Sequence, residues 1–251
     1  MIDSMSPTFF ATSFKEPDLL YIEDKEDIFH LVNVLRVREG EKINVNYNLK
    51  IYETYVERIE KDKIVCRIIG ELEDKESNVE VYLCQSLPKR ESWEIILEKC
   101  TEIGVVGFIP LQTQRSIVNL SKDGLVKKYE RWNKIIREAV KQCGRNRLPL
   151  LYQVKSLEEC LGLAKEKDFD IVVAWEGAEL GLKDIMNRRE IKDKIFLFIG
   201  PEGSFTDEEI ELMKKYGGIF FNMGPRILKV ETAAIVASAL LLYEKGGLGL
   251  I

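Results

Sequence analysis

The chain has 251 residues, 45% of them hydrophobic and 31% charged, with a formal net charge of −5. That bounds it to one large or two modest folded domains, and no apolar run approaches the about 20 residues of a membrane helix. The single histidine, His30, excludes a multi-histidine metal site, and five widely spaced cysteines (66, 84, 100, 143, 160) without a Cys-x-x-Cys argue against a disulfide framework or thiolate zinc.

Residues 1 to about 75 read as a small β-rich unit. Met1 to Phe14 lacks the basic start and long apolar stretch of a signal peptide, so none is expected and the protein is placed in the cytoplasm. Ile28 to Arg36 has a short helical pattern and is followed by Gly40. Three β-like runs come next, Lys42–Tyr47, Ile51–Ile59 and Ile64–Ile69, separated by turns at Asn48–Lys50 and Lys61–Lys63. Glu71 to Asn78 is polar and charged and reads as a linker, so the expected domains are 1–75 and 76–251.

From Val79 strands alternate with helices. Val79–Gln85 is expected as a strand, Ser92–Ile103 as a helix ending at Gly104, and Val106–Pro110 as a strand. Lys127–Cys143 is a long amphipathic helix with Tyr129, Trp132, Ile136, Ala139, Val140 and Cys143 on one face. Strands follow at Ile171–Trp175 and Lys194–Ile199, a helix at Asp207–Tyr216 with Thr206 as its N-cap, a strand at Gly218–Met223, and an apolar helix at Thr232–Glu244. Buried strands between helices imply an α/β fold with a parallel sheet.

Three of these strands run into glycine turns. Ile199-Gly200-Pro201-Glu202-Gly203-Ser204-Phe205 builds a sharp loop at a strand end, facing the start of the next helix. Met223-Gly224-Pro225-Arg226-Ile227-Leu228-Lys229-Val230-Glu231-Thr232 repeats that arrangement and brings charged groups with it. Both loops would converge on one crevice, although Glu231 and Thr232 also suit the first turn of a helix as capping groups. The third, Ala174-Trp175-Glu176-Gly177, offers an indole that either stacks on a ligand or fills core.

The two Gly-Pro loops resemble the cofactor loops of SPOUT-type methyltransferases, and within them the bacterial 16S ribosomal RNA uridine N3-methyltransferase family. Asn33–Gly40, Gln85–Lys89, Glu98–Gly104 and Glu138–Asn146 carry the same resemblance, which therefore spans nearly the whole chain. It implies a PUA-like β-barrel RNA-binding domain ahead of an α/β domain with a C-terminal trefoil knot, in a homodimer. It implies S-adenosylmethionine (SAM) as cofactor, bound by Trp175, Glu176, Ile199, Gly200, Pro201, Glu202, Gly203, Met223, Gly224, Ile227, Leu228 and Thr232, and it requires no metal. Ser204 stands where a second glycine is usual, Met223 where leucine is, and Lys229-Val230 where Arg-Thr is.

The expected reaction is methylation of N3 of a uridine in the small-subunit ribosomal RNA, with Arg226 stabilising the uracil anion and Glu231 orienting it or taking the proton. Residues 85–150 hold 13 Lys/Arg against 7 Asp/Glu, a basic region in an acidic chain. Lys127, Arg131, Lys134 and Lys141 form a stripe opposite the apolar face of their helix, which is either an RNA contact or a solvated face. The residues expected to grip RNA are Arg36, Arg38, Lys89, Arg90, Arg115, Arg145, Asn146 and Arg147, and His30 is read as structural. Alternatives are a knotted methyltransferase acting on another RNA, a non-catalytic RNA-binding relative, and a nicotinamide oxidoreductase. The last lacks a Gly-x-Gly-x-x-Gly after its first strand.

Overall fold

A computed structural model describes residues 8–74, 76–116 and 124–248. Residues 1–7, on which part of the N-terminal reading rests, lie outside them. The chain forms two bodies: Met1–Glu76 with Val140–Leu148, and Ser77–Ala139 with Pro149–Ile251.

The first body is a six-stranded sheet. Its strands are β1 (Thr8–Phe10), β2 (Ser13–Lys15), β3 (Leu19–Ile22), β4 (Lys42–Tyr47), β5 (Lys50–Ile59) and β6 (Ile64–Glu71). They run in the order β1-β4-β5-β6-β3-β2, with β1 parallel to β4 and every other pair antiparallel. Alternate residues of β4, Ile43 and Val45, point inward with Phe9, Leu20, Ile22, Val56, Ile64 and Cys66 to make one core. Asn48 and Leu49 both take positive φ (50° and 65°), which is the twist a two-residue hairpin needs between β4 and β5.

The helix expected over Ile28–Arg36 divides in two. Helix α1 (Lys25–Phe29) starts earlier, because the Asp24 carboxylate accepts the Glu26 and Asp27 N–H groups at 3.0 Å each and caps it. Its polar first turn carries no apolar period. A π-helical turn then covers His30–Val34, and Arg36 at φ 55° ends the run. His30 packs edge-on against Phe9 with ring centroids 5.8 Å apart, in a structural position.

The second body is a parallel sheet. Its elements are β7 (Glu80–Ser86), α2 (Arg90–Ile103), β8 (Gly107–Gln112), α3 (Leu125–Cys143), β9 (Leu150–Leu151), β10 (Lys155–Ser156), α4 (Leu157–Glu166), β11 (Asp170–Ala174), α5 (Leu182–Arg188), β12 (Lys194–Ile199), α6 (Asp207–Lys215), β13 (Ile219–Phe221) and α7 (Val230–Glu244). The last turn of α3 belongs to the first body. The strand order is β10-β8-β7-β12-β11-β13, with β9 also on β8. Side chains of β12 alternate between two cores. Ile195, Leu197 and Ile199 join Trp93, Trp132, Ala234, Ala237 and Leu241 on one face, while Phe196 and Phe198 join Cys160, Leu161, Ile210 and Met213 on the other. Helices therefore cover both faces, which is why the strands read as continuous apolar runs.

Thr206 caps α6 as expected, and Glu209 returns the bond in a capping box. Helices α4 and α5 and the short strands β1–β3, β9 and β10 had no counterpart in the sequence reading. Among the described residues no helix is long and apolar enough to cross a membrane. Cys66, Cys84, Cys100 and Cys160 are buried, and burial pushes the Cys66 and Cys100 thiols up to about 12, so both stay protonated at neutral pH.

Candidate active site

Strand connections step outward from β7 to β8 on one side, while β12, β11 and β13 lie on the other. The crevice between β7 and β12 is thus a switch point at the carboxyl ends of the strands, where open α/β sheets bind ligands. Three loops meet beside it: after β11, after β12 and after β13. They enclose a cavity of about 310 Å³.

Most of the residues expected at the cofactor line this cavity. Trp175 and Glu176 come from the first loop, Ile199, Gly200, Pro201 and Glu202 from the second, and Met223, Gly224, Ile227 and Leu228 from the third. Arg226 lines it too. Trp175 packs edge-on against Phe220 at 5.9 Å, as a core residue does, and also lines the cavity.

Gly203, Glu231 and Thr232 are not among the lining residues. Glu231 lies in the first turn of α7, half-buried, while Thr232 is exposed. The N-cap of α7 is Lys229, whose side chain makes no capping bond, so capping does not explain Thr232. Ala174, Ser204, Phe205, Lys229, Val230 and Ala233 also line the cavity, beyond the residues expected at the cofactor.

The loop after β12 is shaped by close packing and one strained residue. A Cβ on Gly200 would lie 3.3 Å from the Phe205 ring, a tight contact, so a larger residue here would push the ring or the loop by a few tenths of an ångström. Ser204 donates its N–H to the Pro201 carbonyl at 2.9 Å and sits at φ 61°, in the left-handed region that favours glycine. That strain costs on the order of 1–3 kcal/mol, against roughly 0.5–1 kcal/mol for the extra unfolded-chain freedom of glycine. Ser204→Gly is therefore expected to raise the melting midpoint by a few degrees. A lower midpoint would show that the left-handed turn is not strained.

Side chains from neighbouring strands hold the loops in place. The Gln85 amide, fully buried at the end of β7, donates to the carbonyls of Ser86 (2.8 Å), Gly200 (3.3 Å) and Ile199 (3.5 Å). Asn222 donates to the Ala178 carbonyl at 2.6 Å and accepts the Gly224 N–H at 3.2 Å, which shapes the turn where Gly224 takes φ 96°. An Asn two residues before a glycine is a turn signal that the sequence reading left unused.

The cavity rim is charged in two halves. Glu176 and Glu202 stand on the loops after β11 and β12, and Arg226 and Lys229 on the loop after β13. The floor is apolar, built by Ile199, Phe205, Met223 and Leu228. Such a pocket suits a nucleoside-sized ligand that carries charge of both signs. The glycine cradle, in which a Cβ would meet the Phe205 ring, fits SAM.

The expected RNA-gripping residues fall into two groups. Arg36, Arg38, Lys89 and Arg90 are exposed, although Arg90 pairs with Glu94 at 3.0 Å. Arg145 and Asn146 are buried and so are not displayed to a ligand. Arg145 grips Glu76 through two bonds of 3.1 and 2.7 Å, and Asn146 donates to the Leu49 carbonyl and the Asp74 carboxylate. Arg147 is half-buried and gives its backbone N–H to Glu76. The helical stripe is likewise interrupted. Lys141 is buried in an ion pair with Asp27, and Arg131 makes a two-pronged pair with Glu94 that holds the Glu94 carboxyl below its ordinary value. Lys127 and Lys134 are exposed, as the stripe reading requires.

Comparison with known proteins agrees with this geometry. Residues 75–242 match a family model described as an RNA methyltransferase domain, and residues 22–69 one described as an RNA methyltransferase PUA domain. Ribosomal RNA small subunit methyltransferase E of Bacillus subtilis is 35% identical over 228 residues, covering 87% of this chain and 88% of its own. The protein of that name from Aquifex aeolicus is 28% identical, covering 93% and 98%. Among solved structures, ribosomal RNA small subunit methyltransferase E from Neisseria gonorrhoeae bound to S-adenosyl methionine superposes with a TM-score of 0.83 at 27% identity, covering 95% of this chain and 97% of its own. A methyltransferase from Legionella pneumophila in complex with SAM gives 0.82 at 32% identity, with the same coverages.

Proposed function

The chain belongs to the RNA methyltransferase family of ribosomal RNA small subunit methyltransferase E, and from that premise we propose that it methylates N3 of one uridine in 16S ribosomal RNA. It is a SAM-dependent ribosomal RNA methyltransferase whose N-terminal body is a PUA-like domain. The observation that carries the reading is the convergence of two Gly-Pro loops on one cavity, and relatives solved with bound SAM support SAM as the cofactor.

SAM would lie on the glycine cradle of Gly200 and Gly224, against Ile199, Met223 and Leu228, with Glu176 and Glu202 offsetting its positive charge. When bound it supplies a methyl group already activated on a sulfonium, so the protein need only orient the partners and manage a proton. Arg226 faces the cavity from an exposed position, where a uracil flipped from its stack can reach it. Its guanidinium favours the N3 anion, and the N3 proton leaves to water, since Glu231 is not among the residues lining the cavity. Arg36 and Arg38 on the first body, with Lys89 on the second, contact the RNA backbone. The protein acts in the cytoplasm as a homodimer with a knotted C-terminal region.

The test is calorimetry with SAM, followed by transfer of labelled methyl to small and large ribosomal subunits from cells that lack the enzyme. SAM should bind, and label should enter 16S RNA alone. Label confined to large-subunit or transfer RNA would contradict the reading.

A further inference from the structure

The Thr113–Ser116 segment at the end of β8 is a rigid turn. Ser116 donates its N–H to the Thr113 carbonyl at 3.2 Å, and its hydroxyl accepts the Thr113 N–H at 3.0 Å. The Thr113 hydroxyl sits between those of Ser116 (2.8 Å) and Ser86 (3.0 Å), which ties the turn to the end of β7. Arg115 stands at the tip of this turn, and its guanidinium points at the cofactor loop. Its Nη1 donates to the Gly203 carbonyl at 2.7 Å and to the Phe205 carbonyl at 3.4 Å. The same turn makes a second tie, because the Gln114 N–H donates to Glu209 Oε1 at 2.9 Å while Glu209 Oε2 accepts the Thr206 N–H.

We infer that Arg115 is a positioning residue for the cofactor loop, holding Gly203–Phe205 in its cavity-closing conformation, and that gripping RNA phosphate is not its main task. The inference rests on the SAM site read above. The loop it holds contains Ser204 in a left-handed conformation that serine rarely adopts, so an outside restraint is needed. A guanidinium on two carbonyls supplies one, since hydrogen bonds from an ionised donor are the strong kind and one nitrogen, Nη1, reaches both carbonyls. Phe205 is the link to the ligand. Its ring packs under Gly200 and lines the cavity, so releasing its carbonyl loosens the floor of the site.

The two roles separate in Arg115→Met and Arg115→Lys. A phosphate contact needs only charge and is kept by lysine, whereas a directional clamp on two carbonyls is not. SAM affinity is measured by calorimetry without RNA. RNA affinity is measured with a 16S fragment across a salt series, and steady-state rates are taken with small subunits. The clamp predicts that Met weakens SAM binding about tenfold or more and Lys about threefold or more, seen as a higher KM for SAM with kcat at saturation kept within about threefold. RNA affinity and its salt slope stay as in the wild type, while the melting midpoint falls by a few degrees at most. Unchanged SAM affinity in both variants, with an RNA salt slope reduced by about one in Arg115→Met, would overturn it. Wild-type SAM binding is the separate control for the functional reading, so its absence would strike that reading, while the variant-to-wild-type ratio judges the clamp. Arg115→Lys keeps charge and an exposed position, so it gives a folded protein if the methionine variant does not.

Discussion

Arg226→Ala is expected to lower methyl transfer at neutral pH by about 10- to 1000-fold while SAM binding stays within about threefold. The size follows from the proton. Uracil N3 carries one at neutral pH, and only the anion attacks readily. A cation within about 4–6 Å lowers the pKa of an acidic group by about 1–3 units, which is the same factor in the anion fraction when the pH lies below the pKa. Removing the guanidinium restores the higher pKa, so the variant's rate should keep rising with pH beyond the point where the wild type levels off. Arg226→Lys keeps the charge and should recover part of the rate. Single-turnover rates across a pH series check this. Full turnover in Arg226→Ala would remove Arg226 from the mechanism.

Lys141→Ala should be the most destabilising replacement in the N-terminal body. Asp27 is fully buried in α1, and among the described residues its Oδ2 has no hydrogen-bond partner. Lys141, also buried, pairs with the other carboxylate oxygen. Removing the lysine strands a carboxylate away from water, which costs about 3–5 kcal/mol, whereas removing both charges together is often nearly neutral. The melting midpoint should therefore fall by roughly 10 °C in Lys141→Ala, and Asp27→Leu with Lys141→Met should regain most of it. A fall below about 2 °C in the single variant would show that water or another group reaches Asp27. The stability comes from a residue whose helical spacing resembled an RNA-facing stripe.

That case marks where sequence reading ends. A 3.6-residue period places Lys141 on the polar side of its helix, but only tertiary contact reveals that Lys141 is buried there. Arg145 and Asn146 were misplaced for the same reason. A basic run after a helix looks like a phosphate grip until Glu76, distant in sequence, is found to hold it. The parallel strands, by contrast, were legible to within a residue or two, because burial on both faces makes Lys194–Ile199 and Asp170–Ala174 nearly uniform apolar runs. Strands of two to four residues, such as β1 and β10, are too short to show a period. Helix α4 could have been found from the Ser156–Glu159 capping box, which the structure forms in full.

The two Gly-Pro loops that line the cavity were legible for a chemical reason. Backbone that must approach a ligand or turn sharply can tolerate few residue types, so Gly200 and Gly224 mark themselves. Their supports, Gln85, Asn222 and Arg115, do not, since an amide or guanidinium bonded to a carbonyl leaves no periodic trace. The local excess of positive charge was real as a count but poor as a map. Arg90 and Arg131 share Glu94, and Lys141 and Arg145 face inward.

The central claim is the atom that receives the methyl group. Small ribosomal subunits lacking the modification should be incubated with the protein and methyl-labelled SAM, and their RNA digested to nucleosides for mass spectrometry. A single labelled product, N3-methyluridine, is expected at up to one per subunit. Label on a ribose oxygen or another base, or none from protein shown to bind SAM, would contradict it.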